Sequence, residues 1–204
     1  MTNDRDRADS APVDSVLADS IKLHRRSLHL AGGRYTTLAL RPADAPIFAI
    51  GTDGDGAWHL TGNAEALLEL AQLCWAAAMQ RHERTLVVIG PDRTSGTDGS
   101  PRAVVMLNGD LGVPTAEEFD ELAAALPWAT PSEGTVKLVT RGLGRATAEG
   151  SASAVNQRWL AEVAGLLVLS APEAALRDLA VGLSIAATRR PSSATVPAGF
   201  RLSD

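Results

Sequence analysis

The chain has 204 residues, a hydrophobic content of 45% and a net charge of −5. A chain of this length and composition can bury a core without disulfide crosslinks. We predict no nucleic-acid partner, because nucleic-acid binding requires a basic surface. We predict no membrane association either, because no apolar stretch approaches the roughly 18 residues that a membrane span needs.

Cysteine usage and the first residues predict a cytoplasmic protein. Cys74 is the single cysteine and cannot form an internal disulfide, which fits a reducing compartment. The charged first residues lack the apolar centre of a secretory signal. The 19 basic residues include only two lysines, Lys22 and Lys137, a bias typical of GC-rich bacterial genomes.

Composition shifts divide the chain into a polar tail over residues 1–14, one domain over 15–190 and an irregular tail over 191–204. Residues 15–41 begin with a short helix or an irregular lead-in and continue as a hairpin around Gly32-Gly33, a pair typical of tight turns. A second hairpin joins residues 47–50 and 57–60 through a glycine- and aspartate-rich turn.

A helix is predicted over residues 64–82. Asn63 is suited to cap its first turn, and Arg81 and His82 suit its negative end. Apolar residues cover most of its circumference, which predicts either a largely buried helix or a helix that forms a partner interface. A strand over 85–90 and a polar loop over 91–102 follow.

Apolar strands alternate with helices in the second half, which indicates βα units. The strands span 103–107, 135–140 and 165–169. A helix over 116–126 starts with a Thr115–Glu118 capping box. A second helix has Val155, Trp159 and Val163 on its inner face and ends at Gly165. A third spans 172–188 after a Ser170–Glu173 capping box. The Arg25-Arg26 pair is interpreted as solvated surface or a helix end.

These elements predict an α/β (or α+β) fold with a mixed sheet. Antiparallel hairpins form its N-terminal half, βα units form its C-terminal half, and the helices pack on the sheet. The carboxyl ends of adjacent parallel strands lie at one edge of a sheet, where ligands bind in open α/β folds. The candidate ligand-binding residues are therefore those that follow the three strands: Asn108, Asp110, Arg141, Gly142, Gly144 and Ser170.

Each candidate has a functional and a structural interpretation. Arg141 suits an anion, Asp110 can orient it, and Gly142 and Gly144 can let backbone approach a phosphate at a helix start. Alternatively, these are ordinary polar residues at strand ends and a glycine-rich loop without a ligand. No metal or cofactor is predicted, because the four histidines lack ligand spacing and Asp53 and Asp55 do not begin a calcium-binding loop.

Two functions follow. The first is a non-enzymatic intracellular binding, accessory or regulatory protein that acts through a protein–protein interface, with a protein partner or a second copy of the chain. The alternative is a protein or enzyme that binds a small anionic or phosphorylated ligand near Asp110 and Arg141. A deep pocket at those residues favours the alternative, whereas a flat apolar patch favours the first. Catalytic residues are not assigned.

Overall fold

A computed structural model describes residues 20–126, 131–149 and 159–188, apart from positions 43, 53, 55 and 57. Four strands come first in this part of the chain, and helices then alternate with single strands or groups of strands. In chain order they are β1 (Ser20–Leu30), β2 (Gly33–Ala39), β3 (Phe48–Thr52), β4 (Trp58–Gly62), α1 (Ala64–Ala78), β5 (Thr85–Ile89), β6 (Thr94–Gly96), β7 (Ala103–Asn108), α2 (Ala116–Ala124), β8 (Gly134–Val139), α3 (Arg141–Glu149), β9 (Trp159–Val163), β10 (Leu166–Ala171) and α4 (Glu173–Thr188).

The described strands form two sheets. The larger sheet has seven strands in the order β8-β1-β2-β5-β7-β10-β9, and the smaller has the order β4-β3-β6. In the larger sheet β7 is parallel to β10 and β2 is parallel to β5, whereas the other neighbours are antiparallel. The predicted mixed α/β fold is confirmed. We call the end where β7 and β10 begin the lower end, and the end where they finish the upper end.

The central strands of the larger sheet are buried on both faces, which separates two cores. Because successive side chains of a strand point to opposite faces, Met106 packs beneath α1 and α4 while its neighbours Val105 and Leu107 pack on the other side. The α1-side core also contains Leu143 of α3 and apolar residues of the smaller sheet. The α2-side core includes Phe119 and Leu122 from α2.

Both predicted hairpins are confirmed. The first turn lies at Ala31 and Gly32, one residue earlier than predicted, because Leu30 pairs with Gly33. No helix precedes it within the described residues, since β1 already begins at Ser20. In the second hairpin β3 and β4 pair antiparallel, while residues 53, 55 and 57 of its turn lie outside the description.

The long apolar helix is confirmed but ends earlier than predicted. Asn63 caps it by accepting a hydrogen bond from the Ala66 amide at 2.8 Å. It ends at Ala78, where the Gln80 side chain donates to the Ala76 carbonyl at 2.7 Å and so satisfies an otherwise unpaired group. Arg81 therefore lies beyond α1 and instead forms an ion pair with Glu173 of α4 at 2.6 Å.

Three local predictions are wrong. Residues 159–163 form β9 instead of a helix, because Ala164 and Gly165 have φ of 55° and 72° and turn the chain into a hairpin with β10. Ser170 does not start a capping box, since it lies within β10 and pairs with Leu107. The 91–102 loop contains a short strand, β6, which pairs in parallel with β3 through backbone groups.

Some predictions concern residues that the structure does not describe. The tail over 191–204 and the tail over 1–14 fall in this part of the chain, as do Val155 and the Asp53 and Asp55 side chains. Within the described residues, no helix has both the length and the apolar composition required to cross a bilayer.

Candidate functional site

The parallel pair β7–β10 brings three of the predicted site residues together at the upper end of the sheet. Asn108 ends β7 and is in register with Ala171, the residue after Ser170. A Cβ atom on Gly109 would lie 3.0 Å from the Ser170 hydroxyl, so the two strand ends pack closely. The predicted proximity of Asn108, Asp110 and Ser170 is therefore confirmed for this pair of strands.

The side chains of Asn108 and Asp110 each accept a hydrogen bond from a backbone amide. The Asn108 Oδ1 atom accepts from the Asp110 amide at 3.1 Å and starts a short 3₁₀ turn over Gly109–Leu111. The Asp110 Oδ2 atom accepts from the Glu173 amide at 2.9 Å, at the first residue of α4. Asp110 thus satisfies an amide that has no partner within the helix. This role agrees with the structural interpretation of these residues.

Arg141, Gly142 and Gly144 do not join this cluster, so the predicted convergence of all three strand ends is wrong. They follow β8, which lies at one edge of the sheet and is separated from β7 by three strands. The successive pairings make β8 antiparallel to β7, so β8 finishes at the lower end. These residues also belong to helix α3, which begins at Arg141, and do not form a glycine-rich loop.

Gly142 and Gly144 of α3 differ in how closely other residues approach them, which predicts opposite effects of alanine substitution on stability. A Cβ atom on Gly142 would lie 2.8 Å from the Trp75 indole, whereas one on Gly144 would meet nothing within 4 Å. We expect Gly144→Ala to raise the free energy of unfolding by about 0.5–1 kcal/mol through helix propensity. Gly142→Ala should lower it by about 1–2 kcal/mol, because overpacking outweighs the same gain in propensity.

Urea denaturation of the two variants measures this difference, and each glycine is the control for the other. Trp75 is only 5% exposed, and Arg177 lies 5.0 Å from the centre of its ring. The indole therefore has little room to move away from a new methyl group. Equal stabilisation by both substitutions would contradict the close packing of α3 on Trp75.

A cavity of about 790 Å³ opens on the α2 side, at the lower end of the sheet. Its origin is a mismatch in length. Helix α2 has nine residues and spans about 13 Å, whereas a six-residue strand such as β10 spans about 20 Å. Since α2 packs beside Leu30 and Tyr35, near the upper end, it leaves the lower part of this sheet face uncovered by helix.

Apolar side chains and three charged residues line the cavity. The charged residues are Arg26 on β1, Asp92 after β5 and Arg102 before β7. Leu166 is almost fully buried and lies at the start of β10. The remaining lining residues come from the end of α2 and from turns at the lower end: Pro42, Pro91, Ala123, Leu126, Ala164 and Gly165.

Arg26 is a buried charge within this lining. The residue is 8% exposed, and its burial lowers the pKa of the guanidinium while the nearby Asp92 carboxylate raises it. Arg26 and Asp92 therefore interact electrostatically across the cavity wall. The interpretation of Arg25-Arg26 as solvated surface holds for Arg25, which is exposed, and is wrong for Arg26.

Arg102 contributes an exposed guanidinium at the same cavity. Its backbone is fixed at both polar atoms, since its amide donates to the Gly165 carbonyl at 2.9 Å and its carbonyl accepts from Thr94 Oγ1 at 2.6 Å. Within the described part of the chain, the Arg102 guanidinium forms no hydrogen bond or ion pair. A fixed backbone with an uncommitted guanidinium is suited to binding an anion in bidentate geometry.

A hydrogen-bonded pair of side chains, Tyr35 and Glu118, holds α2 on the sheet. The Tyr35 hydroxyl donates to Glu118 Oε1 at 2.8 Å, and the other carboxylate oxygen accepts from the Thr115 amide at 2.7 Å. Burial, followed by the hydrogen bond to Glu118, raises the pKa of Tyr35 to about 12. The Glu118 carboxylate also accepts from the Gly32 amide and would overlap a Cβ atom at that position, so any larger residue there would have to displace this carboxylate.

The cavity residues were not among the candidates taken from the sequence. Arg26 carried a recognisable signal, because the alternation of β1 places it on the same face as Leu28 and Leu30. A charged residue on the buried face of a strand is unusual unless another group pairs with its charge. Asp92 and Arg102 lie in a polar segment, and no local pattern distinguishes them from other loop residues.

Metal ligation has no geometric basis among the described residues, where no group of three or more His, Cys, Asp or Glu side chains is placed to hold an ion. No protein-family model, no curated protein and no solved structure matches this chain.

Proposed function

We propose that this chain is a non-enzymatic binding protein whose ligand is a small molecule with an anionic group and an apolar body. The ligand occupies the cavity on the α2 side, with its charge at Arg102 and its apolar part against Leu166 and the end of α2. The observation that carries this proposal is that Arg102, which is exposed and has no side-chain hydrogen bond or ion pair with the described residues, lies beside an apolar cavity. Convergent polar groups in an otherwise apolar cavity are typical of ligand sites.

The size of the cavity supports a small molecule as the occupant. Small-molecule sites commonly enclose about 300–1,000 Å³, and this cavity encloses about 790 Å³. The anionic ligand considered from the sequence is thus retained, while its site is moved from Asp110 and Arg141 to the cavity beside Arg102.

The surface gives less support to a protein interface on α1. That hypothesis depended on the broad apolar surface of the helix, but eleven of its fifteen residues are buried within the chain. Large apolar side chains that are exposed in the described part of the chain are Val113 and Val139, at 49% and 67%. Such separate side chains do not form the contiguous patch typical of an interface. A protein partner, a homo-oligomer and a cytoplasmic location remain predictions.

Fluorescence titration with anilinonaphthalene sulfonate, an anion with an apolar body, tests the proposal. We expect saturable binding to the folded protein and displacement of the dye by octanoate but not by octanol. Arg102→Gln should weaken binding of the dye about tenfold, the effect of losing one charged hydrogen-bond donor. Arg145→Gln is the matched control, because Arg145 is an exposed arginine on α3 that pairs with Glu149.

Two results would contradict the proposal. One is the absence of saturable binding of both the dye and octanoate to the folded wild-type protein. The other is equal affinity of the Arg102→Gln and Arg145→Gln variants for both ligands. Because Arg102 is exposed, its substitution should leave the fold intact, and a circular dichroism spectrum of each variant establishes that before titration.

A further inference from the structure

We propose that the cavity discriminates by ligand charge, accepting monoanions and giving no advantage to dianions, because the charges of its described lining residues sum to one positive charge. This inference rests on the proposed function and specifies the ligand class of the same site. Its starting observation is the juxtaposition of Arg26, Asp92 and Arg102 around one cavity.

Burial requires that Arg26 has a partner inside the protein. Arg26 is 8% exposed as a whole residue, and a buried charge is tolerated only when other groups of the protein interact with it. Asp92 is close enough to stabilise the charged form of Arg26, and both residues have interactions within the chain. Arg26 is therefore already engaged within the chain, and the Asp92 carboxylate offsets part of the cost of burying its charge.

The remaining charge in the lining belongs to Arg102. Among the described lining residues, two guanidinium groups and one carboxylate give a sum of one positive charge. One negative charge on a ligand balances this sum. A second negative charge would find no further uncompensated cation and would lie near the Asp92 carboxylate, where repulsion is strong because the apolar walls reduce screening.

Octyl sulfate and octyl phosphate are matched probes for this inference. They share one apolar tail, but at about pH 8 the sulfate has one negative charge and the phosphate, with a second pKa of about 6, has nearly two. We expect wild-type protein, titrated by calorimetry below micelle formation, to bind octyl sulfate at least as tightly as octyl phosphate. Tighter binding of octyl phosphate would overturn the inference.

Asp92→Asn tests the assigned cause. Without the carboxylate, the described lining residues sum to two positive charges, so the affinity for octyl phosphate relative to octyl sulfate should rise about tenfold. Asp98→Asn is the control, since Asp98 is exposed and lies on the same segment away from the cavity lining. An equal change of the ratio in both variants would overturn the inference.

The two proposals fail in distinguishable ways. If neither octyl probe binds to the wild-type protein, the ligand-binding function itself is wrong. If both bind and the phosphate binds more tightly, the function stands and the charge selectivity is wrong. The wild-type comparison needs no variant, so it decides the matter even if Asp92→Asn fails to fold.

Discussion

Replacing Phe119 with alanine is expected to lower the free energy of unfolding by about 3–5 kcal/mol, the usual effect of removing a buried aromatic side chain. Phe119 is 2% exposed and, with Leu122, joins α2 to the α2-side core. This core has no second described helix to collapse into the space. Urea denaturation followed by circular dichroism measures the change.

Val113→Ala provides the comparison for Phe119→Ala. Val113 is 49% exposed, so its truncation should change the stability by less than about 0.5 kcal/mol. If Phe119→Ala were as mild as Val113→Ala, the packing of α2 against the sheet would be wrong, and with it the upper boundary of the ligand cavity.

Glu118→Gln is expected to lower the free energy of unfolding by about 2–3 kcal/mol at neutral pH. The carboxylate accepts hydrogen bonds from the Thr115 amide, the Tyr35 hydroxyl and the Gly32 amide. An amide side chain has one oxygen and one NH₂ group, so it cannot accept from all three donors. Buried donors that lose their acceptor destabilise a protein by about 1–3 kcal/mol.

The effect of Glu118→Gln should depend on pH in a defined direction. Burial by itself raises the pKa of Glu118, but hydrogen bonds from Thr115, Tyr35 and Gly32 outweigh it and hold this pKa below its usual value of 4.5. The carboxylate therefore contributes stability fully above pH 4.5, and this contribution is lost as the pH falls through the lower, folded-state pKa. The stability difference between wild type and variant should shrink as the pH falls below 4.5.

Glu117→Gln separates this effect from a general change of charge in the first turn of α2. Glu117 is the exposed neighbour of Glu118, and its substitution should change stability by no more than about 1 kcal/mol, through the helix dipole alone. A Glu118→Gln difference that stayed constant with pH, or that matched Glu117→Gln, would show that the ionised carboxylate does not hold α2.

Local patterns in the sequence were sufficient for most of the secondary structure. The Asn63 cap, the Thr115–Glu118 capping box and both N-terminal hairpins form, the first hairpin with its turn one residue earlier than predicted, because each depends mainly on local residues. The wrong prediction of a helix over residues 159–163 has the same origin. Apolar residues four positions apart share one face of a helix, but they also share one face of a strand, and the following turn pairs this strand with β10.

Local patterns predicted only part of the arrangement of the candidate site residues. Asn108, Asp110 and Ser170 could be grouped because β7 and β10 are parallel neighbours, as the βα pattern predicted. Arg141 could not be placed, because the direction and position of β8 depend on its pairing with β1, more than a hundred residues away in the chain. Strand order is a property of such distant contacts, which a single sequence does not record.

The sequence by itself determined the class of fold, the caps of α1 and α2, and the continuous apolar runs that bury both faces of the central strands, since these follow from side-chain period and local hydrogen bonding. Only the tertiary structure decided that a short α2 leaves one end of the sheet uncovered and that Arg26, Asp92 and Arg102 meet there. These three residues come from separate segments, and their proximity results from packing over the whole sheet.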